Sequence, residues 1–284
     1  MKAWPLGSFF ALTFALSWTA WWLAARLGFG SESSTIVGAL AFYIGVFSPG
    51  IISILLSRSL HGPAALRALL ARLVQVNVAG RWFAFALFFT MAVKLTGAVA
   101  HRAILGEWPA FATPPLALTV MLMFGATFLS TMIGGQAGEE LGWRGFALPR
   151  MAASMGLGPS GVLLGLAWAA WHLPIFYLFP RGDTFHQSFP LYALQVMAIS
   201  VAMTWLYAHT RGSLLLAMLM HSAVNNTRDI VPATPAEPGG VWSFHGSPTW
   251  WLSIGLAWAC AAYFLLRMPR NAPEVLTSES TPTR

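Results

Sequence analysis

Long apolar runs separated by short polar segments fill most of this chain of 284 residues. An α-helix needs about 20 apolar residues to cross a bilayer, whereas a strand of a membrane barrel needs only about 10. The runs therefore predict an all-α polytopic membrane protein with about eight transmembrane helices. The predicted spans are residues 6–28, 36–57, 82–104, 115–137, 158–179, 189–208, 212–227 and 249–267. The seventh is short, so we expect neighbouring helices or a cavity beside it.

The segment between the second and third spans, residues 61–81, has a different pattern. Four of its leucines share one helical face, namely Leu66, Leu69, Leu70 and Leu73. Arg67 and Arg72 point elsewhere, which predicts an amphipathic helix lying at the membrane interface. We expect residues 1–267 to form one transmembrane domain, with a motif-bearing core at 115–227. Residues 268–284 are rich in Pro, Ser, Thr and Glu and predict a disordered cytoplasmic tail.

Composition supports the membrane class. The chain is 57% hydrophobic and only 9% charged, whereas a soluble domain carries about 25% charged residues. The net charge of +7 comes from scattered basic residues, which favours anionic membrane lipids as partners and argues against nucleic acid. Cys260 is the single cysteine, so an intrachain disulfide is excluded.

The distribution of Lys and Arg predicts the orientation. With both termini on the cytoplasmic side, eleven basic residues fall on the inside, at Lys2, Arg58, Arg67, Arg72, Arg81, Arg144, Arg150, Arg211, Arg267, Arg270 and Arg284. Four fall on the outside, at Arg26, Arg102, Arg181 and Arg228. This bias predicts a multi-pass protein of the cytoplasmic (inner) membrane with cytoplasmic termini. Lys94, inside the third span, has the ordinary interpretation of a snorkelling side chain. Tryptophans near span ends, such as Trp21 and Trp250, are typical of aromatic belts.

An acidic pair, Glu139 and Glu140, follows the fourth apolar run. Charge in or beside a bilayer core is expensive and usually marks function. Glu140 and Arg144 are four residues apart, in the favourable order for an ion pair on one helical face. Glu139 points in another direction, where it would face a cavity and act as a general base on water. The plain alternative is a helix end at the cytoplasmic face whose charges are simply solvated.

Two later spans each carry a polar pair with the same four-residue spacing. These pairs are Trp168 with His172, and His221 with Asn225. Each pair shares one helical face. A lone histidine on an apolar face is more often a packing residue, and interhelical hydrogen bonds contribute only about 0.6 kcal/mol on average. Three intramembrane polar groups together with a paired acid nevertheless indicate one buried hydrolytic site.

The ordered set Glu139-Glu140-x-x-x-Arg144, Trp168-x-x-x-His172 and His221-x-x-x-Asn225 resembles the CAAX prenyl protease and bacteriocin-processing family of intramembrane proteases, also described as the type II CAAX endopeptidase or ABI family. The resemblance covers residues 139–225, and a family variant has Phe at the position of Trp168. It implies an intramembrane endopeptidase. Its substrate would be a membrane-anchored or lipidated peptide or protein.

The resemblance also implies roles for single residues. Glu139 would activate the hydrolytic water with help from His172, and His221 and Asn225 would form the oxyanion hole. Glu140, Arg144 and Trp168 would support the site. In a competing scheme, Glu139, His172 and His221 would bind zinc and leave a fourth position for water. The sequence lacks the HExxH motif, so we favour the scheme without a metal over zinc, while the cofactor remains undecided.

Two other classes of function use the same buried residues. A transporter or ion relay would need them for proton or ion transfer, but it would also predict paired broken helices, which the sequence does not have. A non-catalytic protein that confers self-immunity to a bacteriocin is the other alternative.

Overall fold

The computed structural model describes residues 5–31, 34–109, 135–179, 188–227 and 240–269, together with residues 125, 127 and 129. In these residues the fold is all-α, as predicted. The helices are α1 (Pro5–Arg26), α2 (Ile36–Ala71), α3 (Gly80–Leu105), α4 (Gln136–Glu140), α5 (Leu148–Met155), α6 (Leu157–Trp171), α7 (Leu173–Leu178), α8 (Phe189–His209), α9 (Leu214–Thr227) and α10 (Pro248–Arg267). A 3₁₀ turn, Arg72–Val74, follows α2, and a π-helix, Leu141–Ala147, joins α4 to α5.

Six helical segments among the described residues are long and apolar enough to cross a membrane. They are Pro5–Arg26, Ile36–Val74, Gly80–Leu105, Leu157–Leu178, Phe189–His209 and Pro248–Arg267. The predicted fourth span lies largely outside the described residues, and the seventh is α9, which has only 14 residues. The polytopic fold is therefore confirmed, while the count of eight stays a prediction. The predicted tail lies almost entirely outside the described residues.

The helix predicted over residues 61–81 is shorter than expected and continues α2. Gly62 has φ 79° and ψ −175°, which interrupts the helix, and Pro63 begins the next turn. The helix then ends at Ala71. Leu69 is buried, in agreement with the predicted apolar face, whereas Leu70 is exposed.

Arg72, which was predicted to lie off the apolar face of an interfacial amphipathic helix, is buried inside the protein. It is only 6% exposed. Its guanidinium donates to the carbonyl oxygens of Gly212 at 3.0 Å, and of Arg144 and Gly145 at 3.4 Å, and to the hydroxyl of Tyr207. It therefore joins the end of α2 to the π-helix and to the turn before α9. Because Arg72 and Arg144 are both buried inside the protein, they do not count as evidence for membrane orientation.

The helices α1, α2 and α6 are joined by hydrogen bonds in the protein interior. Ser17 donates to the Gly45 carbonyl at 2.9 Å and accepts from Trp171 Nε1 at 2.6 Å. Trp21 Nε1 donates to the Phe42 carbonyl at 3.1 Å. Trp21 is fully buried, so its assignment to an aromatic belt is wrong. Such bonds are well suited to a membrane, where no water competes for the donors.

Helix α4 and the start of the π-helix pack against α2 in direct backbone contact. A Cβ atom added to Gly142 would lie 2.7 Å from the Pro49 carbonyl carbon, and one added to Gly50 would lie 2.7 Å from the Gly138 carbonyl oxygen. No side chain larger than hydrogen fits at these positions. The glycines therefore let two backbones approach closely and hold Glu139 and Glu140 inside the helical bundle.

We expect Arg72→Met to destabilise the protein strongly, because it leaves the buried carbonyls of Gly145 and Gly212 without their charged donor. A loss of about 3 kcal/mol corresponds to a thermal midpoint lower by roughly 6–12 °C for a chain of this size. Thermal unfolding in detergent measures the shift, with the exposed Arg67→Met as the matched control. Equal midpoints for the two variants would contradict a structural role for Arg72.

Candidate active site

The acidic pair lies in the protein interior. Glu139 is 7% exposed and Glu140 is fully buried, which excludes a solvated helix end at the membrane surface. Both residues end the short helix α4, and the π-helix begins at the next residue, Leu141. Wide turns of this kind inside helices are frequent at functional sites.

Glu140 is the centre of a buried charge cluster. Its Oε1 accepts hydrogen bonds from Arg144 Nη1 and from His221 Nδ1, each at 2.9 Å. The predicted ion pair between Glu140 and Arg144 is therefore present, although the bond to His221 was not predicted. The guanidinium of Arg144 also lies 4.6 Å from the ring centre of Trp168 and donates to Ser200 on α8 at 3.4 Å. The cluster thus links the π-helix to α6, α8 and α9.

Trp168 contacts both histidines of the cavity, and it also contacts Glu139 and Arg144. Its Nε1 donates to Glu139 Oε2 at 2.7 Å, and its carbonyl oxygen lies 3.0 Å from His172 Nδ1. Its ring meets the ring of His221 edge to face, with 4.9 Å between centroids. Through its ring and its backbone carbonyl, Trp168 therefore fixes the position of Glu139 relative to the two imidazoles.

The hydrogen bonds also determine where the imidazole protons lie. A carbonyl oxygen only accepts, so Nδ1 of His172 carries a proton, and Nε2 is the acceptor of the neutral ring. His221 Nδ1 likewise donates to the carboxylate of Glu140, which is already paired with Arg144. His221 Nε2 is then an acceptor in the neutral ring and a donor only in the doubly protonated ring.

Glu139, His172, His221 and Asn225 all line one cavity of about 330 Å³. This volume lies within the range of small-molecule sites, about 300–1,000 Å³. The structure thus brings the four residues together from α4, the junction of α6 and α7, and α9. The rest of the wall is mainly aromatic and aliphatic, contributed by Trp21, Phe42, Val46, Trp171, Ile175, Tyr192, Val196, Ile199, Val224 and Trp250.

Two polar residues of the cavity wall, Lys94 and Gln195, were not predicted as site residues. Lys94 is 6% exposed and its Nζ donates to the Thr227 carbonyl at 3.1 Å, so the snorkelling interpretation is wrong. Its position far from both ends of a membrane span was the available signal. A second missed signal is the small-x-x-x-small pattern of Gly138 and Gly142, which marks the close helix contact.

The side chains as placed do not form a zinc ligand set. Among the described residues, no group of three or more His, Cys, Asp or Glu side chains is arranged to hold a metal ion. The Nδ1 atoms of His172 and His221 are hydrogen-bonded to the Trp168 carbonyl and to Glu140, so only their Nε2 atoms could bind a metal. The zinc alternative at Glu139, His172 and His221 therefore remains a prediction that needs a direct test.

Comparison with known proteins gives two matches. Residues 116–227 match the family described as type II CAAX prenyl endopeptidase Rce1-like. The chain is also 24% identical over 241 residues to CAAX prenyl protease 2 of Methanococcus maripaludis, covering 80% of this chain and 84% of that protein. The family match includes α4 to α9, which carry every motif residue of the cavity.

We expect Arg144→Met to reduce stability by about 3–5 kcal/mol, because it leaves the carboxylate of Glu140 buried and without its cation. The double variant Glu140→Gln with Arg144→Met removes both charges and should recover part of the loss. Thermal unfolding in detergent tests this order, with the exposed Arg58→Met as control. A double variant that is less stable than Arg144→Met would rule out the buried ion pair as the cause.

Proposed function

We infer that this chain, which belongs to the type II CAAX prenyl endopeptidase family and is a CAAX-type intramembrane protease, hydrolyses a peptide bond of a membrane-anchored or lipidated substrate in the cavity beside Glu139. The observation that carries this proposal is the convergence of Glu139, His172, His221 and Asn225 on one cavity among helices long enough to cross a membrane. A transporter or an immunity protein would not need a base and hydrogen-bond donors arranged around a single point.

In the proposed mechanism, Glu139 takes a proton from water. Trp168 Nε1 holds the Oε2 atom at 2.7 Å, so Oε1 is the oxygen that receives the proton. His172 Nε2, the acceptor of its neutral ring, holds the same water. A positioned general base contributes about 10²- to 10⁴-fold to the rate of such a step. Burial helps because the surrounding aromatic wall leaves the carboxylate few competing water molecules.

The activated water then attacks the carbonyl carbon of the substrate, and the carbonyl oxygen becomes negatively charged. His221 Nε2 and the amide of Asn225 donate to this oxygen. Since His221 Nδ1 already donates to Glu140, donation from Nε2 requires the doubly protonated ring. When the tetrahedral intermediate collapses, the C–N bond breaks and Glu139 returns the proton to the leaving amine.

Glu140 and Arg144 support the site without touching the substrate. Glu140 orients His221 through a 2.9 Å bond, and Arg144 donates to the same carboxylate oxygen at 2.9 Å. The two adjacent glutamates thus have separate tasks, because neighbouring residues of a helix point about 100° apart.

Two observations support a substrate class: the name of the similar archaeal protein and the apolar wall of the cavity. The relative from Methanococcus maripaludis is named a CAAX prenyl protease. A CAAX box is a C-terminal sequence of cysteine, two aliphatic residues and one variable residue, with the cysteine prenylated. We propose a substrate of this kind for the chain, with the lipid in the membrane and aliphatic side chains against Trp21, Trp171 and Ile175. The proposed location is the cytoplasmic membrane, with both termini in the cytoplasm.

Glu139→Gln should abolish cleavage while leaving the protein folded, because the amide keeps the shape of the side chain but cannot accept the proton. We expect a loss of at least about 10²-fold in kcat. The measurement is hydrolysis of fluorogenic peptides, free and S-farnesylated, by purified protein in nanodiscs. Cys260→Ser, a change in α10 outside the cavity, is the matched control and should retain full activity.

Each assay is repeated with a metal chelator. Activity that survives chelation supports the mechanism with Glu139 as the base, whereas activity lost on chelation and restored by zinc supports the zinc scheme. Equal cleavage by wild type and Glu139→Gln would refute the assigned site.

Asn225→Ala should lower kcat by about 10²- to 10³-fold with little change in KM, because the amide acts on the charge of the transition state. The neighbouring Asn226→Ala is the matched control, since Asn226 donates to the Ser222 carbonyl of its own helix at 2.8 Å. Steady-state kinetics on the best peptide separate the two parameters. A rise in KM with unchanged kcat would assign Asn225 to substrate binding instead.

A further inference from the structure

Gln195 contributes an amide group to the wall of the cavity, and the proposed mechanism assigns it no task. It is the seventh residue of α8, so it lies about 9 Å along the helix from Phe189, in a segment apolar enough to cross a membrane. Polar side chains in such a segment are costly, and they usually bond to another helix or to a ligand. Among the described residues, no hydrogen bond joins the Gln195 amide to a neighbour. The amide is therefore available to a ligand of the cavity.

The packing of α8 keeps this amide turned toward the cavity. The cavity-lining residues of α8 have the three- and four-residue spacing of one helical face, and they are Tyr192, Gln195, Val196 and Ile199. Other helices hold the adjacent positions. A Cβ atom added to Gly165 of α6 would lie 2.7 Å from Met197 Cα. Trp258 Nε1 of α10 donates to the Leu194 carbonyl at 3.0 Å. Rotation of α8 would break both contacts, so the orientation of Gln195 is fixed.

Gln195 is also near the imidazole of His172. Tyr192 precedes Gln195 by three residues on the same face, and its ring meets the His172 ring edge to face, with 5.5 Å between centroids. Residues three apart on a helix have Cβ atoms about 5–6 Å apart. The Gln195 amide therefore lies on the order of 10 Å from His172, which is the length of about three extended residues. An extended peptide that reacts beside His172 is long enough to reach Gln195.

A primary amide matches the hydrogen-bonding groups of a peptide backbone. Its NH₂ group donates and its carbonyl oxygen accepts. In an extended peptide, the N–H and the C=O of one residue point to the same side of the chain, so one amide can pair with both. A peptide that enters an apolar cavity loses its hydrogen bonds to water, and each group left unpaired weakens binding. Lipid chains and aliphatic side chains carry no such groups, so the backbone is the part of the substrate that Gln195 fits.

We propose that Gln195 binds the backbone N–H and C=O of one substrate residue, within about three residues of the bond that is cleaved. This inference rests on the proposed peptidase function and adds a substrate-positioning residue to it. Oε1 of Gln195 accepts from the N–H, and Nε2 donates to the C=O. Because both bonds are made to the backbone, they hold the chain whatever side chain that residue carries.

The test removes either partner of the proposed bond. The parent substrate is the S-farnesylated peptide of the cleavage assay. In each analogue, one backbone N–H within about three residues of the cleaved bond is replaced by an ester oxygen, and the cleaved bond itself is kept. We measure kcat/KM for wild type and Gln195→Met in nanodiscs, with the products identified by mass spectrometry. Gln75→Met is the matched control, since it makes the same change outside the cavity, where the amide donates to the Thr210 carbonyl.

Wild type should lose roughly 5- to 30-fold in kcat/KM on one of the analogues through the missing N–H, the range expected for one backbone hydrogen bond. Gln195→Met should show a loss of this size on the parent and no further loss on that analogue, because the bond is already absent. Its thermal midpoint should equal that of wild type, since no described residue bonds to the amide. Gln75→Met should follow wild type on every peptide.

Two results would overturn the inference alone. One is equal hydrolysis of the parent and all analogues by wild type, which needs no variant and so does not depend on how well Gln195→Met folds. The other is independent, additive losses from Gln195→Met and from every ester, which would assign Gln195 to the packing of α8. Failure of wild type to cleave the parent peptide would overturn the proposed function, and the inference with it.

Discussion

The buried carboxylate of Glu140 is the interaction on which the rest of the site depends. It accepts from Arg144 on the π-helix and from His221, which lies on α9, 81 residues after Glu140 in the sequence. One side chain thus joins the π-helix to α9. Because a buried carboxylate has no water around it, neighbouring donors and cations have to stabilise its charge. This need restricts how the helices around Glu140 can pack. The imidazole of His221 takes its orientation from this carboxylate. Trp168 packs against the guanidinium of Arg144 and donates to Glu139. The position of Glu139 therefore also depends on the cluster around Glu140.

The backbone around this cluster is unusual because it has to place two adjacent glutamates in different surroundings. Helix α4 has five residues, contacts α2 through Gly138, and continues directly into the π-helix. Arg72 donates to two carbonyl oxygens of the π-helix. A helix of five residues is too short to be held by a long packed face. The close glycine contact and the buried Arg72 hold it in place instead. Glu139, the proposed catalytic base, therefore lies on a short but firmly held element.

The cavity combines two environments that a peptidase within a membrane needs. Its apolar wall suits aliphatic or lipidated groups, while Glu139, His172, His221 and Asn225 are the polar residues to which the proposed mechanism assigns the water and the oxyanion. The helices around this polar region satisfy their own backbone hydrogen bonds, which is what a protein within a membrane requires. The proposed reaction thus uses a small polar volume inside an otherwise apolar bundle.

The sequence by itself determined the helical membrane fold and the four motif residues of the cavity, because both follow from short-range rules. Apolar runs of about 20 residues require helices in a bilayer, and residues four apart share a helical face. Only the tertiary structure decided which partners those residues have. Three contacts of this kind join residues that are far apart in the sequence. They are the bond of His221 to Glu140, that of Arg72 to Gly212 and that of Lys94 to Thr227. No local pattern specifies such contacts, since they depend on how the helices pack and on where a buried charge finds its partner.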